Sequence, residues 1–478
     1  MKLSIQLLAG ALCLTTAGFA QTTKQEIIAR IDANKKTYED IALKIWGYAE
    51  VGYHEEKSTA LLQAQLKSEG FKVTAGVADI PTAFIAEFGS GHPIIGILGE
   101  FDALPGVSQD AVPERKPRPG VEAGHACGHH LFGTGSMTAA IAVKDWLKAT
   151  GASGTIRFYG TPAEEGGAGK VYMVRAGLFK DVDTVVTWHA GDRNVVRETS
   201  SLANKSAKFR FHGVASHAAA APERGRSALD AVESMDYMVN MMREHIPDST
   251  RIHYVITHGG EAPNVVPEFA EVYYYVRSPS RVIDSEVFDR VVKCAEGAAL
   301  GTGTKMDFEV IHGVYEVLPN EPLCLAAQAN MEMVGGVPYT PEEKTFAEKI
   351  GKTLFGKAPA PEIASMVEKW DPRPLGTGGA STDTGDVSWN VPMVSFTTAT
   401  WVPGTPAHSW QAVAAGGTTI GLKGMIVAAK TIALTAVDLF KQPELVARAK
   451  SDFDSRRGPN FKYEPLIGNR KPPLDYRN

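Results

Sequence analysis

The residues best suited to hold metal in this chain fall just beyond segments that read as β-strands, and that placement limits the fold more than any other feature. Thr155-Ile156-Arg157-Phe158-Tyr159 reads as a strand and leads into Glu164-Glu165. Asp183 to Trp188 is a short apolar strand with His189 at its carboxyl end, and the strand candidate Asn390 to Thr400 precedes His408. In open α/β sheets, ligands gather outside the carboxyl ends of the strands. A chain that repeats this placement reads as an α/β protein whose site is assembled from distant parts of the sequence.

A fourth piece is Gly124-His125-Ala126-Cys127-Gly128-His129-His130, one thiol and three imidazoles within seven positions. A thiolate and a neutral imidazole two residues apart suit a borderline-soft ion such as Zn²⁺, and both must lose protons to bind, so metal affinity falls in acid. Adjacent carboxylates just past a strand point in different directions, so Glu165 can ligate while Glu164 stays free for proton transfer. Surface decoration seldom produces the density of Gly124 to His130, but the other signals are weak alone: an isolated histidine such as His189 is more often a satisfied core residue, and a Glu-Glu pair is usually solvated. Together, Cys127, His129, Glu165, His189 and His408 have the types to hold two divalent ions, with Glu164 beside them to activate water. That combination reads as a hydrolase. Gly166, Gly167, Gly169 and Lys170 do not make a phosphate loop, because Glu164 and Val171 break the G-x-x-x-x-G-K-[ST] pattern.

At 478 residues the chain exceeds the usual size of one domain. Helices are expected at Lys24 to Trp46, Glu55 to Glu69 and Met137 to Lys148, and a strand at Pro93 to Gly99 leads to an acidic turn at Asp102. The proline-rich stretch Val107 to Val121 reads as an irregular loop at the entrance. Between Lys205 and Val314 the pattern changes. Strands at Lys208 to His212, Arg251 to Thr257, Glu271 to Arg277 and Lys305 to Ile311 alternate with helices at Leu229 to Ile246 and Ser285 to Ala299. This β-α-β-β-α-β order is the ferredoxin-like arrangement, and its methionines read as packing. An inserted domain of this kind makes the catalytic domain discontinuous, with His408 returning after it.

The formal charge is −5, with no long basic run, so nothing points to nucleic acid. Met1-Lys2-Leu3, an apolar run to Thr15 and small residues before Gln21 read as a secretory signal peptide cut after Ala20, which implies a periplasmic or exported protein. Cys13 leaves with it; Cys294 and Cys324 either pair or stay as thiols.

The runs Gly99 to Gly106, Gly124 to His130, Pro162 to Lys170, Trp188-His189 and Pro406 to Gln411 resemble the motifs of the M20 metallopeptidases, in their amidohydrolase branch (subfamily D). Ser216-His217 with Ala219 to Pro222, Gly259 to Pro267 and Ser381 to Ser388 extend the likeness from about residue 25 to the C-terminal tail. The resemblance implies an α/β fold with a two-metal catalytic domain (residues 21–204 and 315–441), an inserted ferredoxin-like lid and dimerisation domain (205–314), and a C-terminal extension (442–478). It also implies that Cys127, His129, Glu165, His189 and His408 bind a pair of zinc or manganese ions and that Glu164 is general base and acid. His217 would polarise the scissile carbonyl, reaching into the site of the other protomer, while Asn264 and Arg277 would hold a substrate carboxylate. Many M20 peptidases carry a ligand histidine where this chain has Glu100, and Glu100 and Asp102 are not counted as ligands here. The implied substrates are N-acyl amino acids, p-aminobenzoyl-glutamate first, with an exported dipeptidase as competitor and a non-catalytic metal-binding protein as the reading of another class. The implied assembly is a homodimer, with a second type of chain left open. No G-x-S-x-G nucleophile elbow is present, and Cys127 serves better as ligand than as nucleophile.

Overall fold

The computed structural model describes residues 23–372 and 379–477. The expected signal peptide therefore lies outside the described residues. In chain order the strands are β1 (Lys72–Ala75), β2 (Phe84–Ser90), β3 (Ile94–Gly99), β4 (Gly154–Gly160), β5 (Thr184–Gly191), β6 (Val195–Val196), β7 (Ala203–His212), β8 (Arg251–His258), β9 (Phe269–Ser278), β10 (Lys305–Val314) and β11 (Met393–Ala399).

Seven of them form a mixed sheet in the order β1-β2-β4-β3-β5-β11-β6. Its centre, β4-β3-β5-β11, is parallel, and antiparallel strands finish both edges. Parallel strands need cover on both faces, and β3 and β4 are buried at every residue. Helices Lys24–Tyr48, His129–Thr150, Glu321–Val334 and Thr419–Lys441 cover one face. The short helices Gly169–Arg175 and Thr384–Ser388 cover the other, together with Ile467 and Tyr463 of the C-terminal segment. The carboxyl ends of all four central strands consequently lie along one edge.

The second sheet is antiparallel, in the order β10-β7-β9-β8. Helices Ala228–Met242 and Arg281–Thr302 pack on one face of it, which completes the β-α-β-β-α-β order. Strand β9 alternates buried and half-buried residues along its whole length, as a sheet with one covered face requires. Met235 and Met242 pack in this core, whereas Met241 is exposed, so not all of these methionines are packing residues. After β10 the chain returns to the first sheet through β11.

Two differences from the expected elements have simple causes. The helix expected from Met137 begins at His129; its first four turns are buried on every side, so no polar face marks them. Strands β1 and β6, of four and two residues, are too short to display a period. Cys294 and Cys324 are both free thiols.

Candidate metal centre

Each segment that carries a ligand-type residue leaves the same edge of the parallel sheet. Glu100 follows β3 directly, Glu164 and Glu165 form a turn after β4, His189 lies near the carboxyl end of β5, and His408 sits on the loop after β11. Gly128, in the left-handed region at φ 76°, caps the helix that starts at His129. A Cβ there would come within 2.4 Å of the Ala190 Cβ, so glycine is what lets the Cys127 and His129 turn lie against the strand bearing His189. His408 also has a left-handed backbone (φ 60°), and its N–H donates to the carbonyl of Ala126 at 2.9 Å. That bond joins the last ligand segment to the first.

The five ligand candidates and Glu164 converge with Glu100. The ligand atoms of Cys127, His129 and His189 lie within 4.8 Å of one another; so do those of Cys127, Glu165 and His408, and those of Glu100, His129 and Glu164. Cys127 and His129 are each shared by two of these groups, as neighbouring ions would require.

The histidines are oriented to bind through Nε2. His129 Nδ1 donates to Asp102 Oδ1 at 2.8 Å, and His189 Nδ1 donates to the carbonyl of Ala190 at 2.8 Å. Each hydrogen bond fixes the tautomer and leaves Nε2 with a lone pair. His129 Nε2 then faces Glu100 Oε2 at 3.0 Å, and both atoms are buried with no hydrogen-bond partner, as is Glu165 Oε1. In the metal-free protein a second proton on the raised His129 ring satisfies this pair; once that proton leaves, two acceptors face each other and a cation is needed between them. The donor set of thiol, imidazoles and carboxylates suits divalent transition-metal ions, so the residues fit a metal pair. Asp102 does double duty: its Oδ2 accepts the Glu165 N–H at 2.9 Å.

Electrostatics separate the carboxylates. Burial pushes Glu164 well above the usual carboxylate range, reinforced by Glu100, Glu165 and Asp383. Burial acts the same way on Glu100, but Lys170 and His129 overcome it and hold Glu100 low. His408 overcomes burial at Glu165 and lowers it. Burial and then Glu165 push the Cys127 thiol up. Burial would lower His129, yet Asp102 and Glu100 outweigh it and hold the imidazole well above its ordinary value. Lys170 is fully buried between Glu100 (2.6 Å) and Asp383 (2.7 Å), so it is structural rather than a phosphate ligand. His125 and His130 are also structural, bonded to the carbonyls of Ile45 and Gly416. Glu164 is half-buried and His408 exposed, so the cluster opens on one side.

The remaining site candidates lie on the inserted domain. His217 bridges to Val265, and the Ala218 N–H donates to the carbonyl of Asn264 at 3.0 Å, so His217 and Asn264 are neighbours. Arg277 is on β9, with its guanidinium over Tyr275 at 5.4 Å. Among the described residues, no hydrogen bond or ion pair of His217, Asn264 or Arg277 reaches the metal cluster. Sequence reasoning left out Glu100, Asp102, Lys170 and Asp383; the acidic turn immediately after β3 was the available signal for the first two.

Comparison with known proteins bears on this geometry. The profile of peptidase family M20/M25/M40 matches residues 96–408. The chain is 42% identical over 447 residues to the B-type chain of the p-aminobenzoyl-glutamate hydrolase of Escherichia coli (strain K12), covering 88% of this chain and 93% of that one. It is 28% identical to the mouse Xaa-Arg dipeptidase, covering 92% and 94%. In fold it is similar to an aminobenzoyl-glutamate utilization protein from Klebsiella pneumoniae, at TM-score 0.60 and 17% identity over 87% of this chain and 98% of that one. A dinuclear metal-binding M20 peptidase from Bacillus subtilis superposes at TM-score 0.58 and 17% identity, over 86% and 99%. The clustered donors and these likenesses agree: the chain belongs to peptidase family M20/M25/M40 and is a metal-dependent hydrolase of C–N bonds.

Proposed function

We propose that the protein hydrolyses the amide bond of N-acyl amino acids, with p-aminobenzoyl-glutamate as the favoured substrate, using two divalent ions, zinc or manganese, held by Cys127, His129, Glu165, His189 and His408 with Glu100 beside them. The observation that carries this reading is the convergence of those donors around the shared Cys127 and His129, next to a carboxylate with a raised pKa. The likeness to the E. coli p-aminobenzoyl-glutamate hydrolase supports the substrate.

When bound, the ions act as Lewis acids, polarising the scissile carbonyl and acidifying water. Glu164 takes the proton of the attacking water and returns it to the amine nitrogen as the C–N bond breaks, yielding an acid and an amino acid. Its environment suits both halves, because a carboxyl pushed upward by burial holds a proton long enough to deliver it. No residue of the chain becomes covalently bound.

His217 Nδ1 accepts the N–H groups of Ala219 and Ala220 at 3.2 and 3.1 Å. Its Nε2 therefore carries the proton in the neutral ring and is free to donate to a developing oxyanion. Arg277, whose Nε has no partner, and Asn264 are suited to a substrate carboxylate. Among the described residues none of the three makes a hydrogen bond or ion pair to the metal cluster, which supports a lid movement or a second protomer as the means of bringing them to it. The unpaired outer edge of β8 supports a homodimer, as do the exposed Tyr254, Val255 and Ile256 along it. The relatives include both an A-type and a B-type chain of the E. coli hydrolase, which supports a heteromer as the second form. The amino-terminal apolar run supports action outside the cytoplasm.

The likeness to Xaa-Arg dipeptidases over nearly the whole chain favours dipeptides as the second substrate class. The test is to count metals in the purified protein and to assay p-aminobenzoyl-glutamate, other N-acyl amino acids and Xaa-Arg dipeptides before and after chelation. Two ions per chain with chelator-sensitive cleavage of p-aminobenzoyl-glutamate is expected. Metal binding with cleavage of dipeptides alone would replace the substrate, and absence of metal after reconstitution would remove the mechanism.

A further inference from the structure

The turn that carries Glu164 and Glu165 is not held by regular structure. Its backbone is left-handed at Ala163 (φ 56°) and Ala168 (φ 56°), and non-helical at Glu165 (ψ 66°) and Gly166 (φ 92°). Non-glycine residues keep positive φ only where the surroundings impose it. Two distant segments do so. From the start of the chain, Glu55 accepts the Ala163 N–H at 2.8 Å and the Tyr53 hydroxyl donates to the Gly167 carbonyl at 2.7 Å. From the C-terminal extension, the Tyr476 hydroxyl and Arg477 Nη2 both donate to the carbonyl of Glu165, at 3.0 and 2.5 Å. That carbonyl fixes the peptide plane following Glu165, and with it the direction of the carboxylate.

The two donors are themselves anchored. Tyr476 meets Tyr53 edge to face, with ring centres 5.5 Å apart, and the Arg477 guanidinium lies over the Tyr476 ring at 4.7 Å. Upstream, Arg175 donates to the carbonyls of Gly468 and Arg470 at 2.9 and 2.7 Å. Arg470 reaches the inserted domain: it donates to the carbonyls of Val310 and Ile311 at 3.0 and 2.6 Å, where a bulge in β10 turns them outward, and pairs with Glu309 at 3.0 Å.

We infer that Tyr476 and Arg477 are positioning residues, which act through the Glu165 carbonyl to aim the turn presenting Glu164 and Glu165. The C-terminal extension is therefore part of the frame of the site, and Arg470 ties that frame to the lid. This inference rests on the metal-site reading above.

The test compares the wild type with Tyr476→Phe, Arg477→Ala, Arg477→Lys and the Tyr476→Phe/Arg477→Ala double variant. Zinc stoichiometry and affinity are measured by chelator competition, alongside kcat, KM and melting temperature. The double variant is expected to lose ~10–100-fold in zinc affinity, the range for removing groups that orient a ligand. Its kcat should fall more than its KM rises, and Arg477→Lys, which keeps one charged donor, should recover much of the loss. Zinc affinity and kcat within twofold of wild type in the double variant would overturn the inference. So would losses that simply track the melting temperature, with no difference between Arg477→Lys and Arg477→Ala. Should the double variant fold poorly, Tyr476→Phe alone decides by the same two criteria. A wild type that binds neither zinc nor manganese would instead sink the metal-site reading itself.

Discussion

Asp102→Asn tests the orientation of the site with the smallest change of shape. Asp102 Oδ1 accepts from His129 Nδ1 at 2.8 Å and Oδ2 accepts from the Glu165 N–H at 2.9 Å. A carboxylate can accept both, whereas an amide has one oxygen. If the oxygen keeps Glu165, the NH₂ group faces His129 and leaves the Nδ1–H only the Asp102 backbone carbonyl at 3.1 Å, which weakens the hold on the tautomer that frees Nε2 for metal. If the oxygen keeps His129, the NH₂ group opposes the N–H of Glu165. Hydrogen bonds to a charged partner contribute about 1.5–3 kcal/mol each. Losing one of them while the ligand stays in place predicts a ~10–100-fold weaker metal affinity, equivalent to about 1.4–2.8 kcal/mol. Chelator competition at fixed pH measures the affinity, and ¹⁵N imidazole shifts of His129 report the tautomer. An affinity within threefold of wild type, with the Nδ1–H tautomer retained, would refute the claim that Asp102 orients both ligands.

Glu164→Gln should keep its metal content and lose ~10²–10⁴-fold in kcat, as expected for a removed general base; near-normal turnover in the metal-loaded variant would reassign the base. Lys170→Met leaves Glu100 and Asp383 buried without their cation, and about 3–5 kcal/mol of stability should be lost; calorimetric unfolding without a fall would show the pair to be dispensable. Metal affinity should rise with pH, because Cys127 and His129 both have raised pKa values in the metal-free protein and must release protons to bind. Titration calorimetry in two buffers of different ionisation enthalpy measures that release, and equal heats in both would contradict the protonation states assigned here.

Much of this candidate site is legible in the sequence because its proposed ligands occupy ends of parallel strands, which a strand period and a following polar residue disclose. His189 and Glu165 are of this kind. The orienting groups are not legible for physical reasons. A lysine reads as a solvated side chain, and only the packing of β3, the Glu164–Glu165 turn and the Thr384–Ser388 helix shows Lys170 sealed between two carboxylates. Tyr476 and Arg477 act on a backbone carbonyl 311 and 312 positions away, a relation that carries no local pattern. Glu100 stands where a ligand histidine is common in the family, and only the geometry shows its oxygen facing His129 Nε2.

Charge accounting explains why Glu164 in particular can carry the proton. Glu55, Glu100, Asp102, Glu165 and Asp383 are all nearly inaccessible, and Glu164 is half-buried beside them. Burial, reinforced by Asp102, pushes Glu55 up to about 8, while it accepts the Thr82 hydroxyl and the Ala163 N–H, so Glu55 is neutral at pH 7. Counting Glu164 in its protonated form as the reference state, Glu100, Asp102, Glu165, Asp383 and a Cys127 thiolate bring five negative charges. Lys170 returns one, and two divalent ions return the other four. The cluster is then neutral, and Glu164 is the group whose ionisation takes it away from neutrality. A general base needs to be this marginal charge: ionised readily enough to take a proton from water, yet reluctant enough to give it up to the departing amine. Loss of either ion raises the cost of ionising Glu164 through space as well as through chemistry. Partial depletion should therefore shift the acid limb of the kcat profile to higher pH before it abolishes turnover, and an unshifted limb at half occupancy would separate the carboxylate from the metals.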